Sequence, residues 1–104
     1  EILSKAGVSI DRVIFDPGIG FGKTAAQSWN LLQRISDFHD LPVRILVGHS
    51  RKSFLQQITQ KPAYERDEES IGVSLQLARK GVDILRVHEA SKHIRAYRAF
   101  QATE

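Results

Sequence analysis

The sequence predicts an α/β fold made of repeated β-α units with parallel strands. Short apolar runs at residues 13–15, 43–47 and 83–87 are each followed by a polar or glycine-rich segment and then by a stretch with helical periodicity. The second run is apolar at almost every position, as strands covered on both faces of a parallel sheet are. Such units form either an open doubly wound sheet or a closed (β/α)₈ barrel. Because a barrel typically needs about 250 residues, this chain would supply only part of one.

The first half of the chain predicts two helices around the first strand. Residues 2–6 are predicted to end a helix that Gly7 closes, because glycine readily takes the left-handed conformation found at helix C-termini. A second helix is predicted over residues 26–39, since apolar side chains recur there at three-residue steps. These side chains are Trp29, Leu32, Ile35 and Phe38.

The second half of the chain predicts three more helices. A short helix after the second strand is expected to turn three apolar side chains inward: Phe54, Leu55 and Ile58. Residues 66–80 form the next, because acidic residues at its start and basic residues at its end complement the helix dipole, and Gly81 caps it. Ser91 is the predicted N-cap of a last amphipathic helix. That helix carries Ile94, Tyr97 and Phe100.

The composition is that of a globular domain and argues against several kinds of site. The chain is 41% hydrophobic and 26% charged, which suffices for one core. The absence of cysteine excludes disulfides and thiolate chemistry, and the four histidines include no i, i+4 pair that would suggest a metal site. A net charge of +3, spread along the chain, fits an anionic small molecule better than nucleic acid.

Location and extent are also expectations from the sequence. No apolar run approaches the length of a membrane span, and the first residues do not form a signal peptide, so we expect a cytoplasmic protein without membrane partners. The chain contains no methionine and opens in what resembles the end of a helix. We therefore expect it to be a piece of a longer protein.

The most informative segment follows the first strand. Residues 16–23, with the sequence DPGIGFGK, combine one carboxylate with three glycines. Glycine lets the backbone approach a flat or anionic ligand closely, while Asp16 offers acceptor oxygens at the strand end. An ordinary turn with Pro17 at its second position is the alternative. The P-loop pattern lacks its first glycine and the dinucleotide fingerprint has Lys23 in place of its third, so ATP and NAD are disfavoured.

Polar residues also follow the other two predicted strands, as SRKS at residues 50–53 and as Arg86 with His88. Neighbouring strands lie about 5 Å apart, so the three strand ends should converge on one ligand. The charges signal no nucleophile and base pair, but they suit a heterocycle that carries an anionic group. The alternatives are that Lys52 and Arg86 are surface charges and that His88 caps a loop.

Taken together, residues 16–23 (DPGIGFGK), 48–53 (GHSRKS) and 86–88 (RVH) resemble the last three strand-end motifs of the dihydropteroate synthase family, in the family's order and approximate spacing. The resemblance covers nearly the whole chain. It implies that residues 1–104 are the C-terminal part, about strands six to eight, of one pterin-binding (β/α)₈ TIM barrel. Without the upstream part, the chain alone should not catalyse.

The resemblance implies a transferase of folate biosynthesis. Members of the family join 6-hydroxymethyl-7,8-dihydropterin diphosphate to p-aminobenzoate, releasing diphosphate and forming 7,8-dihydropteroate. It further implies Mg²⁺ as cofactor, with its ligand upstream of this chain, a homodimer, and competition by sulfonamides for the p-aminobenzoate position. No metal ligand is implied among residues 1–104.

Roles at the pterin side are implied in the same way. Asp16 would accept hydrogen bonds from the amino and ring N–H groups of the pterin, and Lys52 would donate to its carbonyl and ring nitrogen. Arg86 would lie over the ring and help hold the diphosphate, to which His88 would donate. Lys52, Arg86 and His88 are the residues to which the resemblance assigns catalysis.

The p-aminobenzoate side is implied to comprise Gly20, Phe21 and Ser53. The ring of Phe21 would pack against the aromatic amine, and Ser53 would lie near its carboxylate. Three further polar residues in or beside the motifs are expected to make structural, interface or solvent contacts instead: Lys23, His49 and Arg51.

One position and one short segment depart from the family's usual pattern. Glu89 stands where an aspartate usually follows the last histidine, and residues 69–72 are ESIG where GSLA is usual. Neither change touches the implied pterin contacts. Two other functions remain open: a pterin-binding paralogue without catalysis, and a methyltransferase domain that presents methyltetrahydrofolate to a corrinoid, against which the SRKS of residues 50–53 argues.

Overall fold

A computed structural model describes residues 2–104 and shows a parallel sheet whose strands are joined by helices. The strands are β1 (Ile14–Phe15), β2 (Arg44–Val47) and β3 (Ile84–Leu85), in the order β1-β2-β3. Phe15 lies opposite Ile45 and Val47 opposite Leu85, so β2 is the central strand. Strand order follows chain order, as it does around a barrel. All three predicted strands are present, each shorter than its apolar run.

Helices occupy the predicted segments between the strands. The α-helices are α1 (Ile2–Lys5), α2 (Ala25–Gln33), α3 (Asp67–Arg79) and α4 (Ala90–Ala102). Shorter 3₁₀ turns span Ile10–Arg12, Ile35–Asp40, Ser53–Gln57 and Ala63–Glu65. Gly7 and Gly81 follow α1 and α3 with φ of 84° and 85°, which confirms their predicted capping positions. Within residues 2–104, every helix is too short or too polar to cross a membrane.

The predicted helix over residues 26–39 is wrong in its second half. The α-helix ends at Gln33, and the chain tightens into a 3₁₀ helix over Ile35–Asp40. The tighter turn buries Ile35 completely and brings the Phe38 ring within 5.2 Å of the Phe15 ring, measured between centroids. Packing against β1 therefore overrides the simple helical periodicity.

Two smaller predictions are also wrong. Ile58 does not point inward with Phe54 and Leu55, since the 3₁₀ helix ends at Gln57 and leaves Ile58 65% exposed. Ser91 is not an N-cap, because α4 already begins at Ala90.

The core lies between the sheet and the helices that cover it. Its buried apolar side chains are Ile19, Leu32, Ile35, Ile45, Val47, Phe54, Leu55 and Leu77. The indole N–H of Trp29 donates to the Phe54 carbonyl oxygen at 3.2 Å, and the two rings pack edge to face. This contact joins α2 to the 3₁₀ helix after β2. It thereby fixes two of the segments that follow the C-terminal strand ends.

Candidate functional site

The glycine-rich segment after β1 forms a turn held by its own polar groups. Asp16 Oδ1 accepts the Gly18 N–H at 2.8 Å, and Gly18 and Gly20 have φ of 74° and 85°. Lys23 Nζ donates to the carbonyl oxygens of Gly18 and Phe21. Lys23 thus makes a structural contact, which was one of the alternatives expected for it. The turn leaves the second carboxylate oxygen of Asp16 directed at the neighbouring strand ends.

Lys52 crosses this turn from the end of β2. Its Nζ donates to the Ile19 carbonyl oxygen at 2.6 Å and lies 4.4 Å from the centre of the Phe21 ring. Glycine is favoured at position 20 beneath it, because the φ there is 85° and a Cβ would lie 3.1 Å from Lys52 Cδ. Burial, with the positive charge of Arg86 as a second cause, lowers the pKa of Lys52 below its ordinary value.

Arg86 reaches the same turn from the end of β3. Its Nη1 lies 3.6 Å from Asp16 Oδ2, and its guanidinium covers the backbone of Gly48. A Cβ at Gly48 would lie 2.3 Å from Arg86 Nη2, so only glycine leaves room for this arrangement. Arg86 remains 56% exposed, and Asp16 35%, which leaves both groups accessible to a ligand.

His88 is held against β2 by Ser50. The Ser50 Oγ accepts the His88 N–H at 3.3 Å and lies 2.9 Å from His88 Nδ1. When the hydroxyl donates to Nδ1, the neutral ring carries its proton on Nε2, at the far side from Ser50. Ser50 itself is only 4% exposed. It is thus a buried support for an exposed histidine.

The structure brings most of the predicted site residues to one edge of the sheet. Asp16, Gly20 and Phe21 surround Lys52, and Arg86 bridges from Asp16 to Gly48. Phe21 is 65% exposed, and Ser53 is an exposed residue at the start of its 3₁₀ helix. Their contacts to substrates remain predictions, since the convergence of the strand ends is what the geometry supports.

Sequence analysis missed two supporting residues, Gly48 and Ser50. Both lie in the motif at residues 48–53, one and three residues after the last residue of β2. Their adjacency to the strand end was visible in the sequence, but their partners were not. Arg86 and His88 lie 38 residues downstream of them, so the contacts arise only when β2 pairs with β3.

Arg51 and His49 make structural contacts, which were one of the alternatives predicted for them. Arg51 forms a bidentate ion pair with Asp67, with Nε and Nη2 at 2.8 Å and 3.1 Å from the carboxylate oxygens. The His49 ring is fully buried, and its Nε2 lies 3.1 Å from the Ser70 carbonyl oxygen. Burial lowers the pKa of His49 to about 4, so the ring is neutral near pH 7.

The described residues do not supply a metal site. Within residues 2–104, no group of three or more histidine, aspartate or glutamate side chains is arranged to hold an ion. Asp16, the carboxylate nearest the strand ends, is already paired with the Gly18 N–H and with Arg86. Mg²⁺ is usually held by one or two carboxylates together with waters and substrate phosphates, and the contacts of Asp16 already engage the carboxylate that lies here.

Comparison with known proteins gives one consistent answer. Residues 1–88 match the family described as pterin binding enzyme. The dihydropteroate synthase of Escherichia coli strain K12 is 35% identical over 99 residues, which are 95% of this chain and 35% of that protein. The chain therefore spans about a third of that relative's length.

Solved structures extend the similarity to the fold. The dihydropteroate synthase of Anaplasma phagocytophilum, with bound 6-hydroxymethylpterin-monophosphate, matches with a TM-score of 0.91 at 35% identity, over 99% of this chain and 40% of that one. The dihydropteroate synthase of Xanthomonas albilineans, in complex with 7,8-dihydropteroate, matches with a TM-score of 0.92 at 32% identity. This match covers 98% of this chain and 39% of that one. These matches confirm the predicted fold class, β-α units of a (β/α)₈ barrel.

Proposed function

The chain belongs to the family of pterin-binding enzymes, and from this membership we propose that it forms part of the substrate site of a dihydropteroate synthase. The enzyme would condense 6-hydroxymethyl-7,8-dihydropterin diphosphate with p-aminobenzoate to give 7,8-dihydropteroate and diphosphate. The site spans three strand ends, so the chain contributes binding groups while the rest of the protein completes the barrel.

One observation supports this proposal above the others. A carboxylate, a lysine and an arginine from three different strand ends meet around one glycine-rich turn, with Arg86 Nη1 3.6 Å from Asp16 Oδ2. Lys52 lies close enough to both for their charges to act on its pKa. A ligand that combines N–H donors, carbonyl acceptors and an anionic group would satisfy all three, and a dihydropterin diphosphate does.

Asp16 and Lys52 would recognise the pterin ring. The carboxylate of Asp16 would accept the amino and ring N–H groups, with Oδ2 turning from Arg86 to the ligand. The Lys52 ammonium would donate to the pterin carbonyl and ring nitrogen. In the absence of ligand its Nζ donates to the Ile19 carbonyl oxygen, so it already points over the glycine turn.

Arg86 and His88 would serve the departing diphosphate. The planar guanidinium of Arg86 would cover the pterin ring and pair with phosphate oxygens. His88, with Ser50 at its Nδ1, would present Nε2–H to the same anion. Breaking the pterin C–O bond leaves a cationic methylene, and the amine of p-aminobenzoate then attacks it. Stabilising the negative charge of the departing diphosphate lowers the activation barrier for breaking the C–O bond.

The p-aminobenzoate side would be formed by Gly20, Phe21 and Ser53. Phe21 is exposed, and its ring is held from one face by the Lys52 ammonium, so the other face is available for an aromatic amine. Ser53 would lie near the carboxylate. Sulfonamide competition at this position is part of the proposal.

Further parts of the proposal come from the family resemblance. We propose that the whole protein is cytoplasmic and homodimeric, and that it uses Mg²⁺ to neutralise the diphosphate. Because the described residues do not form a magnesium site, the ion would be held by groups outside them. No role of the residues named above depends on it.

The proposal is tested with the full-length protein that contains this chain. Diphosphate release is measured with dihydropterin diphosphate and Mg²⁺, with and without p-aminobenzoate. The Arg86→Ala variant should lose most of the release. Arg34→Ala is the matched control. Arg34 also pairs with an aspartate at the surface, Asp37, but it directly follows α2, and Asp37 lies in the next 3₁₀ helix.

Each outcome separates the candidate functions. Release that depends on p-aminobenzoate and is lost only in Arg86→Ala supports the synthase. A folded protein that binds the pterin without releasing diphosphate would instead be a non-catalytic paralogue. Binding of methyltetrahydrofolate in preference to dihydropterin diphosphate would identify the methyltransferase domain.

A further inference from the structure

Arg51 has an unusual backbone conformation beside two residues of the site. Its φ is 60°, in the left-handed region, and among residues 2–104 every other residue with positive φ is a glycine. Non-glycine residues take this conformation at a cost and keep it only where the surrounding structure enforces it. Arg51 lies between Ser50, which supports His88, and Lys52, which crosses the glycine turn.

Residues at and just before the start of α3 bind the backbone N–H, the carbonyl oxygen and the guanidinium of Arg51. Ser70 Oγ accepts its N–H at 2.9 Å, and Arg66 Nη1 donates to its carbonyl oxygen at 2.9 Å. Asp67 receives its guanidinium in a bidentate ion pair. We call these three residues, Arg66, Asp67 and Ser70, the α3 clamp.

The α3 clamp is built from buried groups, unlike a surface ion pair. Arg66, Asp67 and Ser70 are 6%, 5% and 0% exposed. The Ser70 hydroxyl donates to the Arg66 carbonyl oxygen at 2.7 Å, which leaves its lone pair for the Arg51 N–H. The hydrogen bond from Arg51 is the main cause that lowers the pKa of Asp67, so this carboxylate stays ionised.

The backbone of Arg51 sets the directions of both neighbouring side chains. Ser50 must stay buried to meet His88 Nδ1 after β3, while Lys52 must reach the Ile19 carbonyl oxygen in the turn after β1. If Arg51 relaxed to an ordinary negative φ, the two side chains could no longer keep these contacts together.

We propose that Arg51, held by the α3 clamp, is a positioning residue that orients Ser50 and Lys52 for the pterin diphosphate. This inference rests on the proposed function, because it gives a role in that site to a residue that contacts no proposed substrate group. The first turn of α3 would thereby fix the orientation of two site residues without contacting the substrate itself.

The test uses the full-length protein with Asp67→Asn, which keeps the side chain's size but removes its charge. We expect the KM for dihydropterin diphosphate to rise about tenfold. Hydrogen exchange at residues 50–53, measured without substrates, should accelerate about tenfold. Asp37→Asn is the control, since it breaks the exposed Arg34–Asp37 pair. It should change neither the KM for dihydropterin diphosphate nor the hydrogen exchange of residues 50–53.

Two more variants separate positioning from general stability. Lys92→Gln removes the other cation that contacts Asp67, at 3.3 Å. It should leave the KM for dihydropterin diphosphate and the hydrogen exchange of residues 50–53 near their wild-type values. Arg51→Gly accepts the positive φ without cost but removes the guanidinium, so it should show the same loss as Asp67→Asn. Wild-type behaviour of Arg51→Gly would overturn the inference.

Failure of the inference can be told from failure of the proposed function. A wild-type protein that forms no dihydropteroate refutes the function, yet the exchange of residues 50–53 still decides whether the clamp positions the segment. The inference is overturned if exchange is unchanged in Asp67→Asn. It is also overturned if the melting temperature falls while the KM for the pterin substrate does not change.

Discussion

At the scale of single residues, Gly48 shows how one absent side chain permits the site. A Cβ there would lie 2.3 Å from Nη2 and 2.7 Å from Cζ of Arg86, and Cβ atoms essentially never approach non-bonded atoms so closely. The whole guanidinium group would have to move, since its planar centre is involved as well as its end. Gly48 therefore lets Arg86 lie flat beside Asp16.

We predict that Gly48→Ala displaces the guanidinium of Arg86 and weakens binding of dihydropterin diphosphate by about tenfold or more in the full-length protein. Arg86 is partly exposed, so it can swing into solvent and the melting temperature should change little. Calorimetric titration checks the affinity. Gly72→Ala is the control, because a Cβ there meets nothing within 4 Å. Equal affinities in the two variants would refute this role of Gly48.

His49 connects the strand end to a buried polar chain. Its Nε2 lies 3.1 Å from the Ser70 carbonyl oxygen and 2.8 Å from Ser74 Oγ, which in turn lies 2.8 Å from His93 Nδ1. The Ser70 carbonyl can only accept, so His49 Nε2 carries the proton, and the ring is held in one neutral form.

We predict that this histidine makes stability depend on pH. Burial lowers the pKa of His49 from 6.5 to about 4, so between these values the unfolded chain takes up a proton that the folded protein does not. The free energy of unfolding should thus be at its full value above about pH 6.5 and fall as the pH drops to about 4, by about 3 kcal/mol in all.

The measurement is denaturant unfolding of the full-length protein at a series of pH values. His49→Gln can still donate from its amide to the Ser70 carbonyl oxygen but cannot take up the proton. The wild-type protein should therefore lose more stability than His49→Gln between about pH 6.5 and pH 4. Identical slopes would show that His49 does not titrate differently on folding.

At the scale of elements, the features that were predicted correctly are those that depend on neighbouring residues in the chain. Strand positions followed from apolar runs, and Gly7 and Gly81 marked helix ends because their positive φ is a local requirement. The break after Gln33 was not predictable, since it depends on Phe38 reaching Phe15 in a strand 23 residues away. The exposure of Ile58 likewise depends on where a 3₁₀ helix stops.

The same contrast holds for the site: residues that follow a strand were predicted, whereas contacts between distant elements were not. Asp16, Lys52 and Arg86 were found because charged groups after apolar strands are visible in the sequence. The clamp on Arg51 was missed, because Asp67 and Ser70 lie 16 and 19 residues beyond it, on a helix whose acidic start was interpreted only as favourable to the helix dipole. Side-chain pairing across elements requires the fold.

Helix α2 begins at a capping box that we expect to stabilise it measurably. Thr24 Oγ1 accepts the Gln27 N–H at 3.1 Å, and the Gln27 side chain accepts the Thr24 N–H at 2.9 Å. Thr24→Ala should lower the free energy of unfolding of the full-length protein by about 1 kcal/mol, while Thr24→Ser should keep most of it. Denaturant unfolding measures both, and equal losses would contradict the capping role.

At the scale of the whole molecule, the chain is flatter than an independent domain of its length. Its radius of gyration is 14.9 Å, where a compact domain of this size has about 13 Å. Its extents are 46 × 35 × 21 Å. β1 and β3 are the outer strands of the sheet, and Ile14 on β1 is 48% exposed. A closed barrel would pair such edges with further strands.

We therefore predict that a polypeptide of residues 1–104 does not behave as a stable monomer when produced alone. Unpaired outer strands and exposed apolar residues such as Ile14 should promote association, because open edges pair with other chains. Sedimentation velocity should show species whose size grows with concentration, and thermal unfolding should lack a sharp transition. Full-length protein at equal concentrations is the control. A monomer that unfolds cooperatively would show instead that these β-α units form a sufficient core by themselves, and that closure of the barrel serves the site more than the stability of this part.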